Sequence, residues 1–225
     1  MLSAAAAHHA LRVLRLEQGE AVRLFDGHGG EYAGSIMRAE RGEVAVAVDA
    51  HFDIEREAPL AITLVQALQA GDRMDMTIQK AVELGVTAIV PVYSRRSLVR
   101  LDPARAARRV GHWRQVVASA CEQCGRNRLP QVAEIDSLEH WLARPASAAL
   151  RLFLSPQAER GLAALAAPAS LELLVGPEGG LVADEAAAAA LAGYVPVRLG
   201  PRVLRTETAG MAALAAVQAR WGDFV

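Results

Sequence analysis

Two stretches in the last third of the chain combine glycines with charged and hydroxyl side chains. They are Val175-Gly176-Pro177-Glu178-Gly179-Gly180 and Leu199-Gly200-Pro201-Arg202-Val203-Leu204-Arg205-Thr206-Glu207-Thr208-Ala209. Glycines permit tight turns and let backbone N–H and C=O groups come close to a ligand. Arg205 is suited to stabilising negative charge that develops on a substrate, and Glu207 or Glu178 to accepting a proton or orienting a reacting group. Two plainer readings stand beside this one: the stretches are ordinary strand-to-helix turns, and Glu207 caps the following helix. Neither stretch matches G-x-G-x-x-G or G-x-x-x-x-G-K-[ST], which disfavours dinucleotide and Walker-type phosphate binding. No G-x-S-x-G elbow is present to seat a serine nucleophile. Cys121 and Cys124 are the only cysteines. One C-x-x-C is at most half a zinc site, so the pair reads as helix packing, and His8-His9 have no cysteine or carboxylate cluster beside them. No metal is expected.

Both stretches follow apolar strands, LELLV and VPVRLG, and ligands of open α/β sheets sit beyond the carboxyl ends of strands. LAITLVQAL, TAIVPVYS and RLFLS are further apolar runs of the kind buried in a parallel sheet. Between them lie helical patterns: Asp72 to Leu84, ending at Gly85; Pro103 to Cys124, ending at Gly125; Glu185 to Leu191, closed by Gly193; and Thr208 to Trp221. Strands alternating with helices predict an α/β domain with a mainly parallel sheet. The first seventy residues read instead as short strands. VRLFDGHGGEYAGSIM has the form of a hairpin around Asp26 to Gly30, and EVAVAVDA alternates from Val44 to Val48. A small β-barrel-like module over 1–70 and an α/β domain over 71–225 follow, the latter with a first strand starting as early as residue 60.

Charge is distributed unevenly. The 225 residues carry 24 basic and 25 acidic side chains, a formal net charge of -1 that argues against a generally basic coater of nucleic acid. By segment the balance is -4 over 1–70, +4 over 71–145 and -1 over 146–225. Within 91–128, nine arginines face only Asp102 and Glu122, a local excess of +7. Lys80 is the sole lysine, so the positive charge is almost all guanidinium, the group suited to bidentate phosphate contacts. This island reads as a polyanion surface, or else as one solvated helix face. Hydrophobic residues make up 52% and aromatics 4%, so the core is built mainly of Ala, Val and Leu, and disorder is excluded. No uncharged apolar stretch reaches the roughly 18 residues that cross a bilayer, and MLSAAAAHHA lacks a basic signal-peptide start, so a cytoplasmic protein without membrane contact is expected.

Several motifs together resemble the bacterial 16S ribosomal RNA uridine-N3 methyltransferase (RsmE) family. They run in order along nearly the whole chain: His8-His9-Ala10-Leu11-Arg12-Val13-Leu14-Arg15, Phe25-Asp26-Gly27, Gly71-Asp72-Arg73-Met74, Gln79 to Gly85, Glu122 to Arg126, Gly176 to Gly180 and Leu199 to Ala209. The resemblance implies an N-terminal PUA-like β-barrel and a C-terminal SPOUT domain with a trefoil knot, which the general rule against knots would reject. It implies a homodimer that binds S-adenosylmethionine and methylates N3 of one uridine in the 16S RNA of the 30S subunit. Carried over by position, the cofactor residues are Val175, Gly176, Pro177, Glu178, Gly179, Gly180, Leu199, Gly200, Leu204, Thr206, Thr208 and Ala209. Arg205 and Glu207 are the expected catalytic pair. Arg12, Arg15, Arg105, Arg108, Arg109 and Arg126 are expected to hold RNA. Cys124 stands where the family usually has serine, and Gly210-Met211 interrupts the usual small-residue start of the last helix. A non-catalytic RNA-binding factor and a SPOUT enzyme acting on transfer RNA are the rival readings.

Overall fold

The alternating segments near the N-terminus pair as an antiparallel sheet in a computed structural model, which describes residues 1–40 and 42–224. Strands β1 (Ala21–Leu24), β2 (Glu31–Glu40) and β3 (Glu43–Phe52) lie in that order, and Leu24 pairs with Tyr32 at the head of the hairpin. Gly27, Gly29 and Gly30 all take positive φ in the connecting turn, a conformation that side chains with a Cβ resist. The Asp26 carboxylate closes it by accepting the His28 N–H at 2.9 Å, and this bond holds its pKa below the ordinary 3.8.

Ahead of the sheet the chain is helical, which corrects the reading of the first seventy residues as strands throughout. Helix α1 (Ala4–His8) runs on into a π-helical turn, His9–Val13. An alanine run is the strongest helix former available, and Ser3 Oγ caps it by accepting the Ala6 N–H at 3.2 Å. The helix buries Ala7 and Ala10 against Ile36 and Val44 of the sheet. Arg15, at φ 56°, ends it in the left-handed conformation. This unit comprises Met1–Arg56 together with the distant segment Gly125–Arg128. Asn127 secures that segment, donating its side-chain amide to the Ile54 carbonyl at 2.6 Å and accepting the Gly29 N–H at 3.1 Å.

The second unit, Glu57–Cys124 with Leu129–Val225, contains a sheet whose strands all pair in parallel. Its strands are β4 (Ala61–Ala67), β5 (Ala88–Tyr93), β6 (Gln131–Val132), β7 (Asp136–Ser137), β8 (Leu150–Leu154), β9 (Ser170–Val175) and β10 (Tyr194–Val197). They are ordered β10-β8-β9-β4-β5-β6, with β7 also on β5. Helices α2 (Arg73–Glu83), α3 (Pro103–Cys124), α4 (Leu138–Leu142), α5 (Ala183–Leu191) and α6 (Thr206–Trp221) connect or follow these strands. Helix α2 buries Met74, Thr77, Ile78, Ala81 and Val82, the stripe its spacing predicts. Helix α3 starts with Pro103 and is capped by Asp102, which accepts the Arg105 N–H at 2.9 Å. It buries Val110, Trp113, Val117, Ala120 and Cys121, so Cys121 is a packing residue. The short elements β6, β7 and α4 have no counterpart in the sequence reading, because two-residue strands carry no periodicity.

One buried charge interrupts this apolar sheet. Tyr194, Arg151 and Glu172 occupy neighbouring register positions on β10, β8 and β9. The fully buried Glu172 carboxylate receives Arg151 Nη2 at 3.3 Å, Trp141 Nε1 at 3.1 Å, Ser147 Oγ at 3.3 Å and the Tyr194 hydroxyl. With its partners supplied by three elements and a loop, this charge satisfies the condition for burying an ion.

Candidate functional site

Strands β4 and β9 end side by side, with Gln66 paired in register to Val175, so the segments that follow them emerge together. After β9 the chain turns through Pro177-Glu178-Gly179-Gly180, closed by a Gly180 N–H to Pro177 carbonyl bond at 2.8 Å, with Gly180 at φ 67°. Arg96, on the loop after β5, donates to the Gly179 carbonyl at 2.6 Å. A Cβ on Gly179 would stand 3.1 Å from Arg96 Cδ, so a larger residue there would need the arginine side chain to shift slightly. Nearby, Glu185 accepts the N–H groups of Val182 (3.1 Å) and Arg95 (2.7 Å), fixing the start of α5 against the same loop.

Helix α6 begins two residues earlier than the sequence suggests, at Thr206. The buried Thr206 hydroxyl donates to the Gly176 carbonyl at 2.6 Å and accepts from Gln66 Nε2 at 3.3 Å. The Gln69 amide donates to Thr77 Oγ1 (2.8 Å) and the Arg73 carbonyl (3.2 Å) and accepts the Glu207 N–H (3.2 Å). Arg73 places Nη1 3.2 Å from Glu178 and Nε 3.9 Å from Glu207. Arg205 is the N-cap residue without a side-chain cap, and Glu207, only 8% exposed, faces Arg73. The helix-cap reading of Glu207 is therefore replaced by an ion pair. Gly210 packs where a Cβ would make only ordinary contact with Gln66 and Val175, so a small residue of either kind fits that point of α6.

Among the expected cofactor residues, Gly176 is bonded directly to Thr206, Glu178 shares Arg73 with Glu207, and Gly179 is bonded to Arg96. Val175 and Pro177 are buried beside them. Leu199, Gly200 and Leu204 stand on the segment leading from β10 into α6, with Gly200 at φ 90°. Thr208 is exposed on the first turn of α6, and Ala209 donates its N–H to the Arg205 carbonyl at 2.7 Å. Arg205 itself is exposed. Sequence reasoning gave no role to Gln66, Gln69 and Arg73, and took Arg96 only as one arginine of the 91–128 island. Two polar residues ending the otherwise apolar run LAITLVQALQ were the available signal, since a buried amide needs partners that only a folded site provides.

The arginine island is partly committed within the fold. Arg95 pairs with Asp184 (2.9 Å), Arg105 with Asp102 (3.2 Å) and Arg114 with Glu134 (2.8 Å), while Arg109 donates to the Gly71 carbonyl (3.2 Å). Arg12, Arg15, Arg105 and Arg108 are exposed, whereas Arg126 is 6% exposed and adds no open guanidinium. Cys124 Sγ approaches the Cys121 carbonyl at 3.9 Å, a contact inside its own helix. Among the described residues no group of three His, Cys, Asp or Glu is placed to hold a metal, and no helix is long and apolar enough to cross a membrane.

A parallel-sheet unit with glycine-containing loops at the strand ends, preceded by a small antiparallel unit, defines a class. Residues 56–218 match the RNA methyltransferase domain family, and residues 2–49 match the RNA methyltransferase PUA domain. The chain belongs to the ribosomal RNA small subunit methyltransferase E family. It is 38% identical to the Mycobacterium bovis ribosomal RNA small subunit methyltransferase E, over 95% of this chain and 84% of that protein. The structure of a ribosomal RNA small subunit methyltransferase E from Neisseria gonorrhoeae bound to S-adenosyl methionine superposes with a TM-score of 0.92 at 41% identity, covering 100% of this chain and 92% of that one. A Legionella pneumophila structure with the bound cofactor SAM reaches a TM-score of 0.96 at 39% identity, over 99% and 92% of the two chains.

Proposed function

We propose that this chain transfers a methyl group from S-adenosylmethionine to N3 of one uridine in 16S ribosomal RNA, acting on the small ribosomal subunit in the cytoplasm as a homodimer. The observation that carries this reading is the junction of the Gly176–Gly180 turn with the start of α6 through Thr206. The residues present fit the cofactor. Exposed glycines at 179, 180 and 200 bring peptide groups within reach, with open space around 180 and 200, and the carboxylates of Glu178 and Glu207 suit a cationic ligand. Val175 to Gly180, Leu199, Gly200, Leu204, Thr206, Thr208 and Ala209 would hold it, on segments that we read as forming a trefoil knot. When bound, it supplies an electrophilic methyl group for in-line displacement.

The chain's own part is alignment and charge. Holding uridine N3 in line with the methyl group supplies much of the rate through orientation. The N3 proton must leave as N3 attacks, and negative charge grows on O2 and O4. Arg205, exposed at the mouth of α6, stabilises that charge, and Glu207 orients the reacting base or takes its proton. The exposed arginines Arg12, Arg15, Arg105 and Arg108 support RNA binding by both units, the first a PUA-like module. Calorimetry with S-adenosylmethionine, followed by mass mapping of 16S RNA from a deletion strain complemented with this chain, tests the reading. Cofactor binding with restored methylation at a uridine N3 is expected. Absence of binding, or a methylated transfer RNA in place of 16S RNA, refutes it.

A further inference from the structure

Arg73 is the first residue of α2, at the end where the backbone dipole is positive, so its cation stands against the local field. Asp75, the acidic side chain of that turn, is engaged elsewhere, by Trp113 Nε1 at 3.0 Å and His112 Nε2 at 2.6 Å. A residue that contradicts its local preference is held by the tertiary structure, and such conflicts concentrate at functional sites. Here the holding groups come from two other segments: Glu178 on the turn after β9 and Glu207 in the first turn of α6. Gln69 ties the main chains of Arg73 and Glu207 together as well. Removing the cation would leave two carboxylates facing one another across the site, an arrangement that like-charge repulsion opens.

The geometry points to Arg73 as a positioning residue for methyl transfer: its guanidinium forks between Glu178 and Glu207 and thereby sets the spacing between the Gly176–Gly180 turn and the start of α6. This rests on the reading above that these two segments hold the cofactor. A planar guanidinium reaches two carboxylates at once from a fixed fork, whereas a lysine ammonium is a point charge on a flexible stem.

The test uses the full chain, with S-adenosylmethionine titrated by calorimetry and 30S subunits as methyl acceptor. Arg73→Ala is expected to raise the cofactor Kd about tenfold or more, the scale of a lost charge-assisted hydrogen bond. KM for 30S subunits should stay unchanged, because Arg73 acts on the cofactor segments. Arg73→Lys should recover part of the affinity. A cofactor Kd unchanged in Arg73→Ala, or a lysine variant as weak as the alanine one, would overturn the inference. If Arg73→Ala does not fold, Arg73→Lys decides alone, with an intermediate Kd supporting the proposal and an unchanged Kd refuting it. A wild-type chain that neither binds cofactor nor methylates 30S subunits defeats the functional reading, and this inference with it. A wild-type chain that does both while Arg73 proves indifferent defeats the inference only.

Discussion

Thr206 donates its hydroxyl hydrogen to the Gly176 carbonyl at 2.6 Å, locking the first residue of α6 onto the turn that follows β9. The bond is mostly buried, and Gln66 completes it from β4. Thr206→Val keeps the shape of the side chain but leaves the carbonyl without this donor and takes one of two acceptors from the Gln66 amide, which also donates to the Ala67 carbonyl at 3.0 Å. A stability loss of about 1–3 kcal/mol in urea denaturation is expected, with weaker cofactor binding in calorimetry. Thr206→Ser retains the hydroxyl and should preserve most of both. A larger loss in Thr206→Ser than in Thr206→Val would show that the methyl group, not the hydroxyl, holds the junction.

Arg205 caps no backbone group of α6 with its side chain and is exposed, so its removal should spare the fold. Arg205→Ala is expected to bind S-adenosylmethionine as the wild type does while methylating 30S subunits about a hundredfold more slowly, the scale of one lost charge-stabilising group. A wild-type methylation rate in single-turnover assays would remove Arg205 from the chemistry.

Arg105 and Arg108 are exposed on α3, while Arg109 is bonded to Gly71 and lies over the Trp113 ring at 5.8 Å. Charge reversal at Arg105 and Arg108 therefore probes RNA binding with little structural cost. Their replacement by glutamate should raise the RNA Kd and reduce the salt dependence by about one unit of log–log slope for each phosphate that is no longer neutralised. An unchanged slope would make this helix face a solvated one. Arg109→Glu is expected to lower the melting temperature as well.

Glu172→Ala would strand the Arg151 guanidinium, 5% exposed, without its buried counter-ion. Removing one partner of a buried pair costs about 3–5 kcal/mol, so the variant should lose a large part of a typical domain's stability of about 5–15 kcal/mol. Replacing both residues, Glu172→Leu with Arg151→Met, is expected to restore much of it in thermal denaturation, because two apolar groups of similar size leave no ion unpaired. A double variant no more stable than Glu172→Ala would show that Trp141, Tyr194 and Ser147 also depend on the carboxylate.

The strand and helix order of the second unit was legible because buried parallel strands are continuous apolar runs and α2 and α3 carry regular apolar stripes. The stretches at 175–180 and 199–209 stood out as candidates for the same local reason: glycines and charges follow apolar strands there, the position at which ligands of open α/β sheets bind. Less legible was the N-terminal helix, where four alanines precede a histidine pair and alternation further on suggested strands throughout. Local composition also left open which of the nine clustered arginines remain exposed, since each pairing partner, such as Asp184 for Arg95 or Glu134 for Arg114, is remote in sequence.

By itself, then, the sequence determined the alternation of elements and the family and marked a candidate site, all carried by short-range pattern. Tertiary structure decided that Arg73, Glu178 and Glu207 form one ionic group, that Gln66 and Gln69 bind the start of α6, and that residues 125–128 belong to the first unit. A hydrogen bond or an ion pair depends on separation in space, and residues 30 to 140 positions apart leave no periodic trace of their meeting.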